Sequence, residues 1–327
     1  MDKVAFIGLG VMGGAMAARL AAEGVQVIGV DRDAERCADA KASGVTIAPS
    51  VAAAVQVADV VITMLPDPAA LRAVLGGPDG ALAAMQPGSL LIDMGTSGPD
   101  TVAEIADQAL ARGIRMLDAP VGRPPSAARD GSLIVIVGGD KSDLDRAMPL
   151  FDIMGEVTHH AGPLGAGATL KIINNYMSMV GMVMTAEALA AGRKAGLDRD
   201  VLVKVLSSTA AGRGQIIVNY PEKVLAGDIT ADFPMRLGLK DLKLALELED
   251  GLGVELALGQ TAQHSFSRAI ATGRGEQDCT ALLLDLERQA GMAPSVGPEL
   301  PSTELPDTEL ADTEPPGTEQ NTEEGTA

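Results

Sequence analysis

Short, mostly apolar runs alternate with longer amphipathic stretches through the first half of the chain. Runs at 4–7, 25–30, 60–64, 90–93, 115–119 and 133–137 predict strands. Between them, Ala-rich stretches such as 15–23 and 101–112 repeat apolar positions at the helical period. Strands alternating with crossover helices predict a parallel, doubly wound sheet of about six strands over residues 1–164. From Gly165 the pattern changes. Residues from about 168 to 195 read as one helix, with no internal Pro and only two Gly. At about 1.5 Å per residue that helix spans roughly 40 Å. Helical patterns continue at 198–207, 237–252 and 256–271 without a convincing strand, predicting an all-helical second domain over 165–292. The long helix is apolar enough to predict burial on several sides, a dimer contact among them. After it, 293–327 repeats Thr-Glu among Pro, Asp and Gly, and predicts a disordered, solvated acidic tail.

Composition narrows the function classes. With aromatics at 2% and no Trp, the 327-residue chain must fill its cores with Ala, Val, Leu, Ile and Met, and its 15 Met read as gap fillers. The net charge is −19; nine acidic residues and no Lys or Arg fall in 293–327, leaving −10 on the first 292 residues. Nothing resembles the basic stripe of a nucleic-acid binder, and a negative body avoids anionic membranes. An anionic substrate therefore needs locally placed cations. Cys37 and Cys279 match no metal spacing and, with only three His, predict no metal site and a reducing environment. The MDKVAFIGLG start lacks the apolar core of a signal peptide, and no uncharged apolar run reaches about 18 residues. A cytoplasmic protein without a membrane span is the expectation.

Candidate chemistry begins at Gly8-Leu9-Gly10-Val11-Met12-Gly13, a G-x-G-x-x-G directly after the first strand and before a helical pattern. Glycines there permit a tight turn, close approach of backbone to a pyrophosphate and close helix–strand packing, with the helix N-terminus facing the phosphates. Asp31, 18 residues past Gly13 at the end of the second strand, stands where a carboxylate holds ribose hydroxyls. The fold class is thus an α/β Rossmann domain followed by an all-α domain, and the cofactor is NAD, since the charge of Asp31 opposes a 2′-phosphate. The neighbouring Arg32 softens that preference.

On the long helix, Lys171, Asn174, Asn175 and Ser178 are spaced by three, four and seven, and share one face. A buried polar stripe is costly unless something satisfies it. It is either a site, or Lys171 reaches solvent along its apolar stem while the Asn side chains bond to neighbouring loops.

Taken in order, the segments FIGLGVMGGAMAARL, ITMLPDP, LLIDMGTSGPDT, MLDAPVG, GSLIVIVGG and LGAGATLKIINNYM resemble the β-hydroxyacid dehydrogenase family over residues 1 to about 290. That resemblance implies an N-terminal Rossmann domain, a helical C-terminal domain and an assembly as a homodimer or homotetramer. It implies that Lys171 is the general acid/base, a role that suits an ammonium facing a developing alkoxide. It further implies that Val11 and Met12 line the cofactor turn, that Leu65 and Thr96 approach the cofactor, and that Lys240 reaches its nicotinamide end.

One departure stands out. Most members continue Asp-Ala-Pro-Val with Ser-Gly-Gly; this chain reads Gly122-Arg123-Pro124. The change resembles the branch of 3-sulfolactaldehyde reductases, as do NNYMS at 174–178, STAAGRGQ at 208–215 and ATGRGEQD at 271–278. It implies a small anionic substrate, a sulfonate ahead of a carboxylate, held by Gly122, Arg123, Asn174, Asn175, Tyr176, Met177 and Ser178. An Arg fork with amide and hydroxyl donors suits three sulfonate oxygens. Alternatively Arg123 pairs with a surface acid such as Asp130, and the substrate is a carboxylate such as 3-hydroxyisobutyrate, tartronate semialdehyde or 4-hydroxybutyrate. A cofactor-binding regulatory protein without turnover is a third reading, against which Lys171 stands. His159-His160 reads as a surface connection, and Arg213, between two glycines, as either a second anion contact or a loop cap.

Overall fold

The computed structural model describes residues 3–78 and 80–293, so the predicted acidic tail lies outside the described residues apart from Ala293. The chain divides into two compact units between Val180 and Gly181.

In the first unit six strands run parallel: β1 (Val4–Ile7), β2 (Val27–Val30), β3 (Thr46–Ile47), β4 (Val60–Thr63), β5 (Leu90–Asp93) and β6 (Arg115–Asp118). Their spatial order is β3-β2-β1-β4-β5-β6, the doubly wound arrangement whose order reverses between β1 and β4. The sheet continues with β7 (Val121–Gly122), β8 (Leu133–Gly138) and β9 (Gly155–Gly162). Alternate residues of each strand serve opposite faces. Val4 and Phe6 join Met16, Leu20 and Phe151 in one core, while Ala5 and Ile7 join Leu71, Leu75 and Ile105 in the other. Each fully buried Leu, Ile or Phe contributes about 1.5–3 kcal/mol. Two packed faces explain why these strands read as continuous apolar runs.

Three expectations need correction. The sheet has nine strands among the described residues, against about six predicted, because β3 and β7 hold two residues each and β9 carries no apolar run. The strand expected at 133–137 is parallel to β9 but not to the strands on its other side. It pairs antiparallel with β6 and β7, since only the short Pro125–Asp130 helix separates β7 from β8. His159 and His160 belong to β9, opposite Ile136 and Val137, and the His160 Nε2 lies 2.8 Å from the Gly139 carbonyl.

The long helix forms as predicted, Ala166–Lys194, and crosses the division between the units. Within one chain it is not buried on several sides: Tyr176 and Met182 are 67% and 63% exposed. The second unit is helical, with Arg199–Ser208, Met235–Leu252, Ala257–Ala269 and Leu282–Gln289 as its main further elements. Its core is small, built on Val224, Met235, Ala269, Ala281 and Leu284. Asp278 ties the 230s loop to it, accepting from the backbone N–H of Asp232 and Phe233 at 3.2 Å.

Candidate active site

The end of β1 turns through Gly8 into a helix, Val11–Ala22. Gly8 has φ +97, and a Cβ there would lie 2.3 Å from the Met64 carbonyl oxygen. A Cβ on Gly13 would lie 2.0 Å from the Gly8 oxygen. No L side chain fits either place, so the glycines are steric requirements of this turn. The helix begins at Gly10 with no side-chain cap and no acid in its first turn. Its first N–H groups are left for an anion.

These residues border a cavity of about 880 Å³ at the carboxyl ends of β1, β2 and β4. Gly8, Gly10, Val11, Met12, Gly13, Asp31 and Leu65 all line it. Asp31 is half-buried and accepts from the Leu9 N–H at 2.7 Å and the Asp33 N–H at 2.9 Å, so the carboxylate ties the end of β2 to the glycine turn. Arg32 and Arg36 also line the cavity; the Arg36 guanidinium lies over Gly10, where a Cβ would come 2.8 Å from it. Open amides, a cradle that a Cβ would fill and two guanidinium groups fit a dinucleotide with its phosphates.

Two loops at the same edge of the sheet are fixed by buried acids. Asp93, the last residue of β5, accepts from the Thr63 hydroxyl at 2.8 Å, the Ser97 hydroxyl at 2.9 Å and the Gly95 N–H at 3.2 Å. Burial pushes its pKa up, against those bonds. The loop so held presents Thr96, which is exposed, and a Cβ on Gly95 would come 3.1 Å from the Leu65 carbonyl; the two predicted cofactor loops therefore abut. One strand over, Asp118 ends β6 and accepts from the N–H groups of Gly165 at 2.7 Å and Ala168 at 2.6 Å. Burial raises its pKa as well.

Lys171 follows one turn after Ala168. Its Nζ donates to the Val121 carbonyl at 2.7 Å, and burial holds its pKa below the ordinary lysine value of 10.5. The reading in which Lys171 merely reaches solvent does not describe it. Asn175 is half-buried, while Asn174, Tyr176, Met177 and Ser178 are exposed, and the two Asn side chains bond to each other at 3.3 Å. The polar stripe is thus split: Lys171 and Asn175 are half-buried and carry a desolvation cost, whereas Asn174 and Ser178 are exposed.

Gly122 pairs with Ile134 in the β7–β8 ladder. Arg123 has φ +76, and among the described residues no other non-glycine has positive φ. Its guanidinium donates to the Ser132 carbonyl at 2.6 Å and pairs with Glu156. The acid beside it is Glu156, not Asp130. Lys240 stands in the second unit on the Met235–Leu252 helix and pairs with Asp241 at 2.9 Å. Asp93, Asp118 and Arg36 carry no role in the sequence reading. A carboxylate closing an apolar strand, as in LLID and RMLD, marks the first two positions but not what they hold.

No group of three or more His, Cys, Asp or Glu among the described residues is arranged to hold a metal ion.

Comparison with known proteins agrees with this geometry. Residues 3–162 match the NAD binding domain of 6-phosphogluconate dehydrogenase, and 165–285 match the NAD-binding domain of NADP-dependent 3-hydroxyisobutyrate dehydrogenase. The chain is 38% identical to 3-sulfolactaldehyde reductase of Escherichia coli (strain K12) over 90% of its own length and 99% of that protein's. A solved structure of 3-hydroxyisobutyrate dehydrogenase from Mycobacterium tuberculosis, with L-serine, is 33% identical and superposes with a TM-score of 0.62, covering 88% of this chain and 99% of that one. An imine reductase from Myxococcus stipitatus reaches a TM-score of 0.80 over 88% of this chain and 99% of its own, but at 18% identity it speaks to the fold alone. With the glycine turn, Asp31 and Lys171 in place, the chain belongs to the β-hydroxyacid dehydrogenase family of NAD-dependent oxidoreductases.

Proposed function

We propose that the protein catalyses the NADH-dependent, reversible reduction of 3-sulfolactaldehyde to 2,3-dihydroxypropane-1-sulfonate. The observation that carries this reading is the half-buried ammonium of Lys171, held at 2.7 Å on the Val121 carbonyl beside the segment that departs from the family pattern. A dinucleotide held by the Gly8–Gly13 turn and Asp31 would supply the hydride to the aldehyde carbon. Lys171 gives a proton to the carbonyl oxygen as negative charge builds there, and in the reverse direction its neutral amine takes the proton from the alcohol. Burial brings that amine toward working pH, which serves both directions.

The sulfonate preference rests on Arg123 and on the relative that shares 38% identity. Arg123 stands at a left-handed position that most of the family gives to glycine, a conformation costing about 1–3 kcal/mol where a side chain is present. Such strain points to a role for the side chain. Its pair with Glu156 is exposed, and exposed pairs contribute about 0–1 kcal/mol, so a sulfonate competes for the guanidinium at small cost. Asn174, Asn175 and Ser178 supply further donors, with Gly122, Tyr176 and Met177 shaping the site, and Lys240 serves the nicotinamide end. The protein then works in the cytoplasm as a homodimer or homotetramer. The exposed apolar side chains of the long helix support the assembly.

A carboxylate substrate such as 3-hydroxyisobutyrate is the second reading, favoured by the Arg123–Glu156 pair, which leaves the family's smaller head group to backbone donors. Steady-state rates with NADH and a panel of semialdehydes separate the two. Sulfolactaldehyde should lead, and Arg123→Ser should lose activity selectively on it. Rates no better than with methylmalonate or tartronate semialdehyde would remove the sulfonate assignment and leave the oxidoreductase.

A further inference from the structure

We propose that Asp118 is a positioning residue for the reaction: its carboxylate fixes the first turn of the long helix and thereby sets where Lys171 presents its ammonium. The inference rests on the reading of Lys171 as proton donor.

Two contacts tie the same two segments together. The Asp118 carboxylate accepts from the N–H groups of Gly165 and Ala168, at 2.7 and 2.6 Å. Three residues further along both segments, the Val121 carbonyl accepts from Lys171 Nζ at 2.7 Å. The pairs 118–168 and 121–171 run in step, so the strand end and the helix turn meet at two points about one turn apart. A clamp of that form leaves Lys171 little room to swing.

Packing makes the contact direct. A Cβ on Gly138 would lie 2.4 Å from Asp118 Oδ1, and one on Gly167 would lie 2.9 Å from Oδ2 and 2.5 Å from the Ile136 carbonyl oxygen. Two glycines thus let the helix backbone close onto the carboxylate. Asp118 is only 1% exposed, so water does not replace its bonds. Its register partner on β5 is Asp93, whose oxygens are taken by Thr63, Ser97 and Gly95. Neither acid is spare for a ligand. The helix N-terminus favours a negative acceptor, and a bond to a charged group is stronger than one to a neutral group.

Asp118→Asn in the full chain is the test, since it keeps the shape and one acceptor oxygen but turns an N–H₂ toward a backbone N–H. NADH affinity and the KM for aldehyde should stay at wild-type values while kcat falls about 10²-fold, the scale of a misplaced reacting group. The limb of the pH profile that reports Lys171 should move up toward the ordinary lysine value as the ammonium gains water. Wild-type kcat and an unmoved limb, with only the melting temperature lowered, would overturn the proposal. If the Asn variant does not fold, Asp118→Ser, which offers one short cap acceptor, is read against the same two outcomes. Lys171→Ala run beside them separates the failures. Turnover in Lys171→Ala sinks the proton-donor reading and this inference with it, whereas an inactive Lys171→Ala beside an unaltered Asp118→Asn sinks the positioning role alone.

Discussion

Gly13→Ala should break dinucleotide binding through geometry rather than through loss of any contact. The added methyl falls 2.0 Å from the Gly8 carbonyl oxygen and 3.2 Å from Met64 Cβ. An unstrained carbon contact needs about 3.5 Å, so the helix start must retreat by roughly 1.5 Å. Both atoms that bar the way on the strand side are main chain or Cβ, and neither rotates aside. Overpacking of this kind costs about 1–3 kcal/mol of stability. The larger effect falls on the ligand: the amides opened at Gly10 move off the phosphate, and one charge-assisted bond lost is about 1.5–3 kcal/mol. At about 1.4 kcal/mol per decade, NADH should bind about 10- to 100-fold more weakly. Gly24→Ala is the control. Gly24 has φ +84 and nothing within 4 Å of an added Cβ, so alanine there meets only the left-handed penalty of about 1–2 kcal/mol. Titration of NADH fluorescence and thermal unfolding on both variants give the answer. Weak binding in Gly13→Ala and wild-type binding in Gly24→Ala, with stability lowered in both, is the expected pattern. A folded Gly13→Ala that binds NADH as the wild type does would refute the steric account of the turn.

Two further outcomes are expected. Reduction of aldehyde needs the Lys171 ammonium and oxidation of alcohol needs the amine; as pH rises through the lowered pKa, reduction should fall and oxidation should rise about one midpoint below 10.5. Parallel pH profiles in the two directions would remove Lys171 from the proton transfer. Met182→Asp, on the exposed apolar side of the long helix, should lower the mass seen by light scattering to that of a single chain, and an unchanged mass would place the subunit contact elsewhere.

How much of this was legible follows from which groups are local in sequence. β1, β4 and β5 are buried on both faces, so they show as apolar runs whatever surrounds them. The glycine turn is legible because sterics at Gly8 and Gly13 are set within a few residues and one neighbouring strand. Lys171 shows as a cation in an apolar helix. β9 did not show, because its faces are half-exposed and its sequence, GEVTHHAG, has neither alternation nor an apolar run. That omission hid the partner of Arg123: Glu156 comes beside it only through the β8–β9 pairing, 33 residues away, whereas Asp130 is near in sequence. The roles of Asp93 and Asp118 were out of reach for a like reason. An acid after an apolar run reads as a turn residue, and the helix turn that Asp118 holds lies about 50 residues on.

The acids at this edge of the sheet share one habit, and it bears on how a chain of net charge −19 binds an anion. Asp31, Asp93 and Asp118 end or follow parallel strands, and each spends oxygens on backbone N–H groups: Leu9 and Asp33, Gly95, then Gly165 and Ala168. The helices beside the cavity follow suit, Ala34–Ala42 being capped by Asp33, Val51–Val55 by Ser50 and Pro68–Leu75 by Asp67. Each of those positive helix ends already has a side-chain acceptor. The Val11–Ala22 helix alone among these four has no side-chain cap, and the Arg36 guanidinium lies over its entrance. Unsatisfied amides at a helix N-terminus attract an anion, whereas capped ones do not. Capping the competitors is therefore as much a part of phosphate recognition here as leaving the Gly10–Gly13 amides open. The surplus of carboxylates assists binding by occupying the wrong sites.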